Sequence, residues 1–340
     1  MRATVRDVAT RAGVSPKTVS NVINGVVFVR PDTRERVEAA IAELHYVPNL
    51  SARGLRNGRS GAIALAFPDL TTEYSAAMLD TFVEAAHERG WSIQMEQTGR
   101  RPDREGELLS RAREHLIDGL VLNPVSLKLS AIVGTAELPP IVVIGEVEQD
   151  LVDRVAVDSV AAAREMTEHL LARGHRRIAV VGTDGPDSDR ASARARTKGY
   201  REALAAAGVP NDPALEIVTE DWVPSAAGEA FARALDAGVE MDAVFCFTDS
   251  MAVGVLSILF ARHIRVPEQI AVAGFDDVRG GRFASPPLTT VSFDKRAFAE
   301  TTLSVLAERI ADRSLPPRRI FIPHEIIARA STATDRAATH

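Results

Sequence analysis

The chain of 340 residues contains a single cysteine, Cys246, and aromatic residues make up only 5% of it. One cysteine cannot form an internal disulfide bond, which favours a reducing cytoplasm over a secreted location. No apolar run approaches the ~20 residues of a membrane span, and the first residues lack the apolar core of a signal peptide. We therefore expect a soluble, cytoplasmic protein that does not associate with membranes.

The sequence motifs of common enzyme classes are also missing. There is no P-loop, no nucleophile elbow and no spacing typical of zinc ligands. The stretch "GTDGPDSD" is acidic and poor in glycine, so it would cradle phosphate badly. We therefore expect a protein that is not an enzyme, with no catalytic residues, no metal and no cofactor.

The net charge of −6 is unevenly distributed along the chain. Residues 1–60 hold ten basic and five acidic residues, whereas the remaining 280 residues hold 30 basic and 41 acidic ones. A basic head with a net charge of +5 on an acidic body suggests that the head meets a polyanion. By charge alone, an unevenly charged solvated surface explains the pattern equally well.

Two amphipathic helices are predicted at the start of the head. Gly13 ends the first helix, Ser15 is a good N-cap for the second, and Pro16 suits its first helical position. The apolar stripes are Val5, Val8, Ala9 and Ala12, followed by Val19, Val22 and Ile23. Two short helices joined by a tight Gly-Val-Ser turn are typical of a helix-turn-helix.

A third helix should begin where Asp32 and Glu35 have the spacing of a capping box. Its apolar stripe is Val37, Ala40, Ile41 and Leu44, and we expect it to end near His45. A three-helix bundle that binds nothing would satisfy the apolar pattern equally well, so the polar face of the second helix has to decide between the two readings.

The second helix leaves short polar side chains facing outward. Lys17 and Asn21 can hydrogen-bond base edges, and Ser15, Thr18 and Ser20 can reach phosphates. Together with the positive charge, this favours DNA binding over an inert bundle. The basic stretch 49–59 that follows is too short to be stable as an isolated helix, so by itself it reads as a flexible linker.

The body alternates apolar runs with amphipathic stretches, which predicts doubly wound parallel sheets. The candidate strands are 62–67, 91–96, 118–123, 140–145, 177–182, 242–247 and 270–275. The candidate helices are 78–89, 159–173, 197–207, 226–237 and 250–263.

Ligands of such sheets bind beyond the carboxyl ends of the strands. The polar and aromatic residues found just after strands, or in the neighbouring loops, are the candidates for a hydroxyl-rich ligand. They are Asp69, Tyr74, Asn123, Arg196, Trp222, Thr248 and Asp276. We expect Asp249, which also follows a strand, to act as a helix N-cap instead.

The segments "TVRDVATRAGVSPKTVSNVING" and "TRERVEAAIAELHYVPNLSARGL" resemble the head of the LacI/GalR family of bacterial transcription regulators. The resemblance implies that the second helix enters the major groove, with Pro16, Lys17 and Asn21 at base-reading positions. It also implies that the linker becomes a hinge helix on operator DNA, with Leu55 wedged into the minor groove between base steps. The predicted DNA-contacting residues are Thr4, Ser15, Pro16, Lys17, Thr18, Ser20, Asn21, Asn24, Arg53, Leu55 and Arg56.

The body resembles the effector-binding core of the same family, through "LARGHRRIAVVG", Arg196–Tyr200, "FTDSMAVGVL" and "VAGFDD". The implied fold is an all-α helix-turn-helix head plus an α/β, periplasmic-binding-protein-like body of two doubly wound parallel-sheet subdomains, with Arg196 and Asp276 bonded to the effector. The implied domains are a DNA-binding domain (1–48), a hinge helix (49–59), an effector-binding and dimerisation domain (60–330) and a tail (331–340). Its first subdomain comprises 60–157 and 290–317, and its second 158–289 and 318–330.

The sequence thus predicts a regulator, most simply a repressor, that binds a palindromic operator as a homodimer under the control of a small-molecule effector such as a sugar or sugar derivative. Half-sites would lie about one helical turn apart, ~34 Å. A cytoplasmic sugar-binding protein and a corepressor-dependent, nucleoside-responsive regulator are the alternatives.

Overall fold

The structure, a computed structural model, describes residues 3–23, 28–46, 59–99, 101–126, 128, 130–133, 137–185 and 189–333. Two compact units are present, Met1–Ser60 and Gly61–His340. The elements described in the first are all helices, and the second is built on parallel sheets.

In its described residues the first unit packs three helices, α1 (Val5–Ala12), α2 (Pro16–Ile23) and α3 (Pro31–Glu43). Thr4 and Asp7 form a capping box at the start of α1, and Gly13 ends it at φ 67°, a conformation that favours glycine. The core consists of Val8, Ala9, Ala12, Val19, Val22, Val37, Ala40 and Tyr46. The predicted apolar stripes are confirmed, since their remaining members pack against this core.

The capping box predicted for α3 is wrong. The helix begins at Pro31 with Arg30 as N-cap, and no side chain caps it. Proline at the first helical position has its φ preset and no N–H to satisfy, so the helix starts there without Asp32 as its cap. Asp32 lies in the first turn instead, where the helix dipole stabilises its carboxylate.

The second unit contains two six-stranded sheets, with strand orders β11-β5-β4-β3-β1-β2 and β12-β10-β9-β8-β6-β7. The strands are β1 (Ala62–Phe67), β2 (Ser92–Gln97), β3 (Gly119–Leu122), β4 (Ile141–Ile144), β5 (Asp153–Val157), β6 (Ile178–Thr183), β7 (Glu216–Val218), β8 (Ala243–Cys246), β9 (Ala271–Phe275), β10 (Thr289–Phe293), β11 (Arg319–Ile322) and β12 (His324–Ile327). Neighbouring strands are parallel except β10 and β12, which pair antiparallel with Val291 opposite Ile326. All seven strands predicted from apolar runs are present, within one residue at each end.

Eight helices accompany the two sheets in the part of this unit that the structure describes. They are α4 (Glu73–His87), α5 (Pro102–Arg113), α6 (Ser159–Ala172), α7 (Ala191–Ala206), α8 (Pro224–Asp236), α9 (Asp249–Ala261), α10 (Arg279–Arg282) and α11 (Lys295–Ala311). We call the sheet of β1–β5 and β11, with α4, α5 and α11 packed on it, the first lobe. The sheet of β6–β10 and β12, with α6–α10, is the second lobe.

The chain crosses between the lobes near Asp158, Asp294 and Pro323. The predicted limits at 290 and 318 differ from the structure. Strand β10, which begins at Thr289, completes the second sheet by pairing with β9 and β12, and β11 pairs with β5 in the first sheet. Because of these strand pairings, the second and third crossings lie several residues later in the chain than predicted.

Close helix packing explains part of the motif Arg196–Tyr200. Gly199 on α7 faces α6, where a Cβ would lie 2.1 Å from the carbonyl oxygen of Val160. The buried Tyr200 donates its hydroxyl to the carbonyl of Ile178, 2.8 Å away, at the start of β6. The motif thereby fixes α7 on the second sheet with Arg196 one turn before these two anchors.

Among the helices described, none is long and apolar enough to span a membrane. Within the same residues, no group of three or more histidine, cysteine, aspartate or glutamate side chains is arranged to hold a metal ion.

Candidate functional site

A cavity of about 430 Å³ lies between the two lobes, a size typical of small-molecule sites. All seven residues predicted to contact an effector line it: Asp69, Tyr74, Asn123, Arg196, Trp222, Thr248 and Asp276. The carboxyl ends of both sheets meet at this cavity, which is why residues far apart in sequence come together.

The first lobe contributes residues that follow β1, β3 and β4. Asp69 turns the chain after β1, where its carboxylate accepts hydrogen bonds from the backbone N–H and hydroxyl of Thr71, at 2.8 and 2.7 Å. Asn123 follows β3 and lies against Gly145, where φ is +91° and a Cβ would come within 3.0 Å of the Asn123 amide oxygen. Glycine at 145 therefore keeps room for the amide at the cavity wall.

Arg196 is the central cation of the cavity wall, and it is 5% exposed. Its guanidinium carbon lies 3.6 Å from the ring centroid of Phe275 and 5.6 Å from that of Trp222. Its N–H groups donate to the carbonyl of Phe247 and, at 3.2 Å, to the carboxylate of Glu146. The side chain is thus held by stacking and hydrogen bonds from both lobes.

Glu146 is a cavity residue that the sequence analysis missed. Its carboxylate belongs to the first lobe and accepts hydrogen bonds from Ser159, at 2.7 Å, and Ser192, at 2.8 Å, both of the second lobe. Burial alone would raise the pKa of this carboxyl, but Arg196 and the two serines outweigh burial and hold the pKa below its ordinary value. Glu146 directly follows the predicted strand "PIVVIG" (140–145), and this position beyond a strand end was the sequence signal that could have identified it.

Asp276 and Tyr74 both line the cavity, and the charge of Asp276 affects the pKa of Tyr74. Burial raises the pKa of Asp276 well above its ordinary value, although Arg196 acts in the opposite direction. Burial also raises the pKa of Tyr74, and the carboxylates of Asp276 and Glu146 raise it further. Tyr74 is therefore a neutral hydroxyl, and Asp276 is an acceptor whose charge is costly unless a donor approaches it.

Six polar side chains at the cavity wall have no hydrogen-bond partner among the described residues: Tyr74, Gln97, Asn123, Trp222, Ser250 and Asp276. The terminal N–H groups of the two lining arginines, in contrast, donate to protein oxygens, and the Nε–H of Arg196 is buried without a partner among the described residues. Arg196 is held as above, while Arg190 donates to the carbonyls of Thr219, at 3.2 Å, and Glu220. The groups open to a ligand are thus one carboxylate and several neutral donors and acceptors.

The prediction that Asp249 caps a helix is wrong, because the N-cap of α9 is Thr248, whose hydroxyl accepts from the N–H of Met251 at 3.2 Å. Asp249 is fully buried outside the cavity wall and accepts hydrogen bonds from the hydroxyl of Thr290, at 2.6 Å, and the N–H of Val278, at 2.9 Å. Burial raises its pKa to about 7. It ties α9 to β10 and to the loop that follows β9.

Further hydrogen bonds join the two lobes around the cavity. The Ser126 hydroxyl donates to Asp189 at 2.6 Å, and the N–H of Ala191 donates to the carbonyl of Val125 at 3.1 Å. On another side, the Glu73 carboxylate accepts from the N–H of Gly280 at 3.0 Å. The structure therefore represents a conformation in which the lobes are in contact.

In the first unit, the predicted DNA-contacting residues of α2 lie at or near the surface. Ser15, Pro16 and Lys17 are exposed, whereas Thr18, Ser20 and Asn21 are half-buried. The Ser15 hydroxyl accepts from the N–H of Thr18 at 3.1 Å, as an N-cap does, and Thr4 caps α1. The predicted contacts Asn24, Arg53, Leu55 and Arg56 lie outside the described residues.

Comparison with known proteins accounts for both units. Residues 4–49 match the bacterial regulatory proteins of the lacI family, and residues 167–332 match the periplasmic binding protein-like domain. The HTH-type transcriptional repressor PurR of Salmonella newport is 32% identical over 336 residues, covering 97% of each chain.

The chain belongs to the LacI family.

Two solved structures of regulators extend this result to the fold. A CelR–cellobiose complex is 32% identical, covers 97% of this chain and 100% of its own, and has a TM-score of 0.71. The lac repressor dimer bound to operator and the anti-inducer ONPF is 26% identical, covers 98% and 100%, and has a TM-score of 0.83. The predicted helix-turn-helix head and two-lobed α/β body are confirmed, and this LacI-family chain is a DNA-binding transcriptional repressor with an effector-binding domain.

Proposed function

We propose that this repressor binds a near-palindromic operator as a homodimer and that an uncharged, hydroxyl-rich small molecule in the cavity between the lobes controls it. Residues 1–48 read DNA, 49–59 form the hinge, and 60–330 bind the effector and the second copy. The protein acts as a regulator rather than an enzyme. The relatives bound to cellobiose and to operator as a dimer support these assignments.

The choice of effector rests on which polar groups at the cavity wall already have hydrogen-bond partners. Both arginines already donate to protein oxygens, whereas hydroxyl, amide and carboxylate groups remain open. A phosphate would require a cation that is free to pair with it, and it would meet Asp69, Glu146 and Asp276. A sugar offers hydroxyls that both donate and accept, with a C–H face for Trp222.

The proposed mechanism is a shift between two lobe arrangements. An effector held by residues of both lobes favours one arrangement over the other, which changes the separation of the two hinges in the dimer and the affinity for operator. Such couplings are typically worth ~1–3 kcal/mol, or about 5- to 150-fold in affinity.

A thermal-shift screen with a matched mutant pair tests the proposal. The panel contains uncharged mono- and disaccharides including cellobiose, their phosphates, and nucleosides, and an operator is selected from randomised palindromic DNA. An uncharged sugar should raise the melting temperature and change operator affinity. Arg196→Ala should lose this response, and Lys198→Ala should retain it, because Lys198 is an exposed residue of the same helix that lies 3.9 Å from Glu202.

A response confined to sugar phosphates or nucleosides would contradict the proposed effector class. A sugar that binds without changing operator affinity would contradict the proposed control, and selection that yields no preferred palindrome would contradict operator reading by a dimer.

A further inference from the structure

Lys295 lies at the second crossing between the lobes. It is the first residue of α11, directly after Asp294, the N-cap of that helix. Helix α11 belongs to the first lobe, where the ring of Phe298 meets that of Phe82 edge-on, with 6.5 Å between centroids. Lys295 is therefore attached to the first lobe, although its side chain reaches the second.

The Lys295 ammonium group contacts the loop that bears Asp276. Its Nζ donates to the carbonyl of Asp276 at 2.6 Å and lies 3.4 Å from that of Asp277. It also lies 4.9 Å from the ring centroid of Phe293. Burial lowers the pKa of this amine, and no carboxylate pairs with it within the residues that the structure describes. Burying an ammonium group that is bonded only to carbonyl oxygens costs desolvation free energy. We therefore infer that the position of this group matters to the protein.

The loop that bears Asp276 and Asp277 is held by bonds on the side away from the cavity. Asp276 and Asp277 have φ values of 110° and 47°, which non-glycine residues rarely adopt without support. The Asp277 carboxylate is held by Arg282, at 2.8 Å, and Arg329, at 2.6 Å. The loop's remaining polar side chain, the carboxylate of Asp276, is open to the cavity.

The side chain and the backbone carbonyl of Asp276 thus lie in different environments. Its carboxylate lines the ligand cavity, while its carbonyl oxygen is bonded to a residue of the other lobe at a crossing. A donor that pulls the carboxylate turns the peptide that Lys295 holds. Asp276 belongs to a short loop that Arg282 and Arg329 hold through Asp277. We therefore expect such a movement to reach the start of α11 through Lys295 rather than to be absorbed in the loop.

We propose that Lys295 is a positioning residue that couples effector contact at Asp276 to the angle between the lobes. The inference rests on the proposed function, because it assumes that an effector occupies the cavity. It concerns the transmission of binding rather than binding itself.

The test compares Lys295→Met, which keeps most of the side-chain length but removes the charge, with Lys295→Arg. The matched control is Lys198→Met, an exposed lysine on α7 that is 3.9 Å from Glu202. Operator affinity is measured by fluorescence anisotropy, without sugar and with saturating cellobiose or whichever panel sugar stabilises the wild type most. Titrating each variant to saturation separates coupling from sugar affinity.

Lys295→Met should reduce the ratio of the two operator affinities to within about threefold of unity, from a wild-type value expected at about 5- to 150-fold. Operator affinity without sugar should change by less than about threefold. Lys295→Arg should restore most of the ratio, and Lys198→Met should leave it unchanged. A wild-type ratio of unity would refute the proposed function, whereas a normal wild-type ratio that Lys295→Met leaves intact would refute the role of Lys295.

Amide hydrogen exchange on the full repressor without ligand provides a second readout. In Lys295→Met, exchange should speed up at residues 276–279 and at 294–298 together, and Lys295→Arg should reverse both. Unchanged exchange in either segment would overturn the proposal even if no sugar of the panel bound.

Discussion

Carboxyl groups that lie close together in the second lobe differ because their partners differ. Asp277 is bonded to two arginines and a serine, and although burial alone would raise its pKa, these partners lower it to about 2. Asp249 is bonded only to a hydroxyl and an amide, so burial dominates and its pKa is about 7. Charge compensation, rather than burial alone, decides which carboxylate ionises.

Asp249 should therefore make stability depend on pH. Its pKa is higher in the folded protein than the ordinary value of 3.8, so the folded state holds the proton more tightly, and this contribution is lost as pH rises towards 7. At 1.36 kcal/mol per pH unit, the wild type should lose about 2–3 kcal/mol relative to Asp249→Asn between pH 5 and 7.5. Urea unfolding at both pH values measures the difference.

Asparagine is a suitable comparison because its amide can donate to Thr290 and accept from Val278, as a protonated aspartate does. Other titrating groups are shared by both proteins and cancel in the difference. Parallel pH profiles for the two proteins would mean that Asp249 ionises normally in the folded state.

At the scale of elements, the second lobe depends on helices that approach closely. At Gly199 the clash of a Cβ with α6 involves backbone atoms, namely the carbonyl oxygen of Val160 and the N–H of Arg164, 2.8 Å away. Neither atom can move without displacing a turn of α6. In α5, by contrast, nothing lies within 4 Å of a Cβ built at Gly106.

The same substitution should therefore have opposite effects in the two helices. Gly106→Ala should stabilise the protein by roughly 0.5–1 kcal/mol, because alanine is the better helix former. Gly199→Ala gains the same propensity but forces α6 and α7 apart, and should destabilise by about 1–3 kcal/mol. Chemical denaturation of both variants checks this, and equal shifts in the midpoint would rule out close packing as the reason for Gly199.

At the scale of the whole molecule, charge is divided between the two units. The head carries a net +5 and the rest −11, so the acidic body repels the phosphate backbone while the head attracts it. This division favours binding in one orientation, through the head alone.

Operator binding should accordingly weaken steeply with salt. If six phosphates are neutralised, affinity should fall by about 10³ between 50 and 200 mM salt. Lys17→Gln should lower the slope of log affinity against log salt by about one per head if Lys17 contacts phosphate, or change base preference if it reads a base. Lys198→Gln in the body should do neither. Filter binding over a salt series decides, and a salt-independent affinity would contradict electrostatic docking of the head.

Local sequence patterns predicted much of the architecture. The helices of the head and the seven apolar strands follow from the spacing of apolar residues, and the end signals at Gly13 and Ser15 separate α1 from α2. These signals depend on near neighbours in the chain. The missed strands β5, β7, β10, β11 and β12 lack that signal. Strand β5, for example, begins at Asp153, a residue that reads as a surface charge.

What the sequence alone determined is therefore the kind of protein: a basic helix-turn-helix head, an alternating β/α body and a ligand edge on its sheets. Only the tertiary structure decided that Asp153 is buried, because its partners Arg309 and Arg318 are more than 150 residues away. It likewise decided where the chain crosses between lobes, that Glu146 pairs with Arg196, and that Lys295 reaches the carbonyl of Asp276 in the other lobe. Pairing between distant residues depends on how sheets and helices pack in three dimensions, and no local periodicity encodes it.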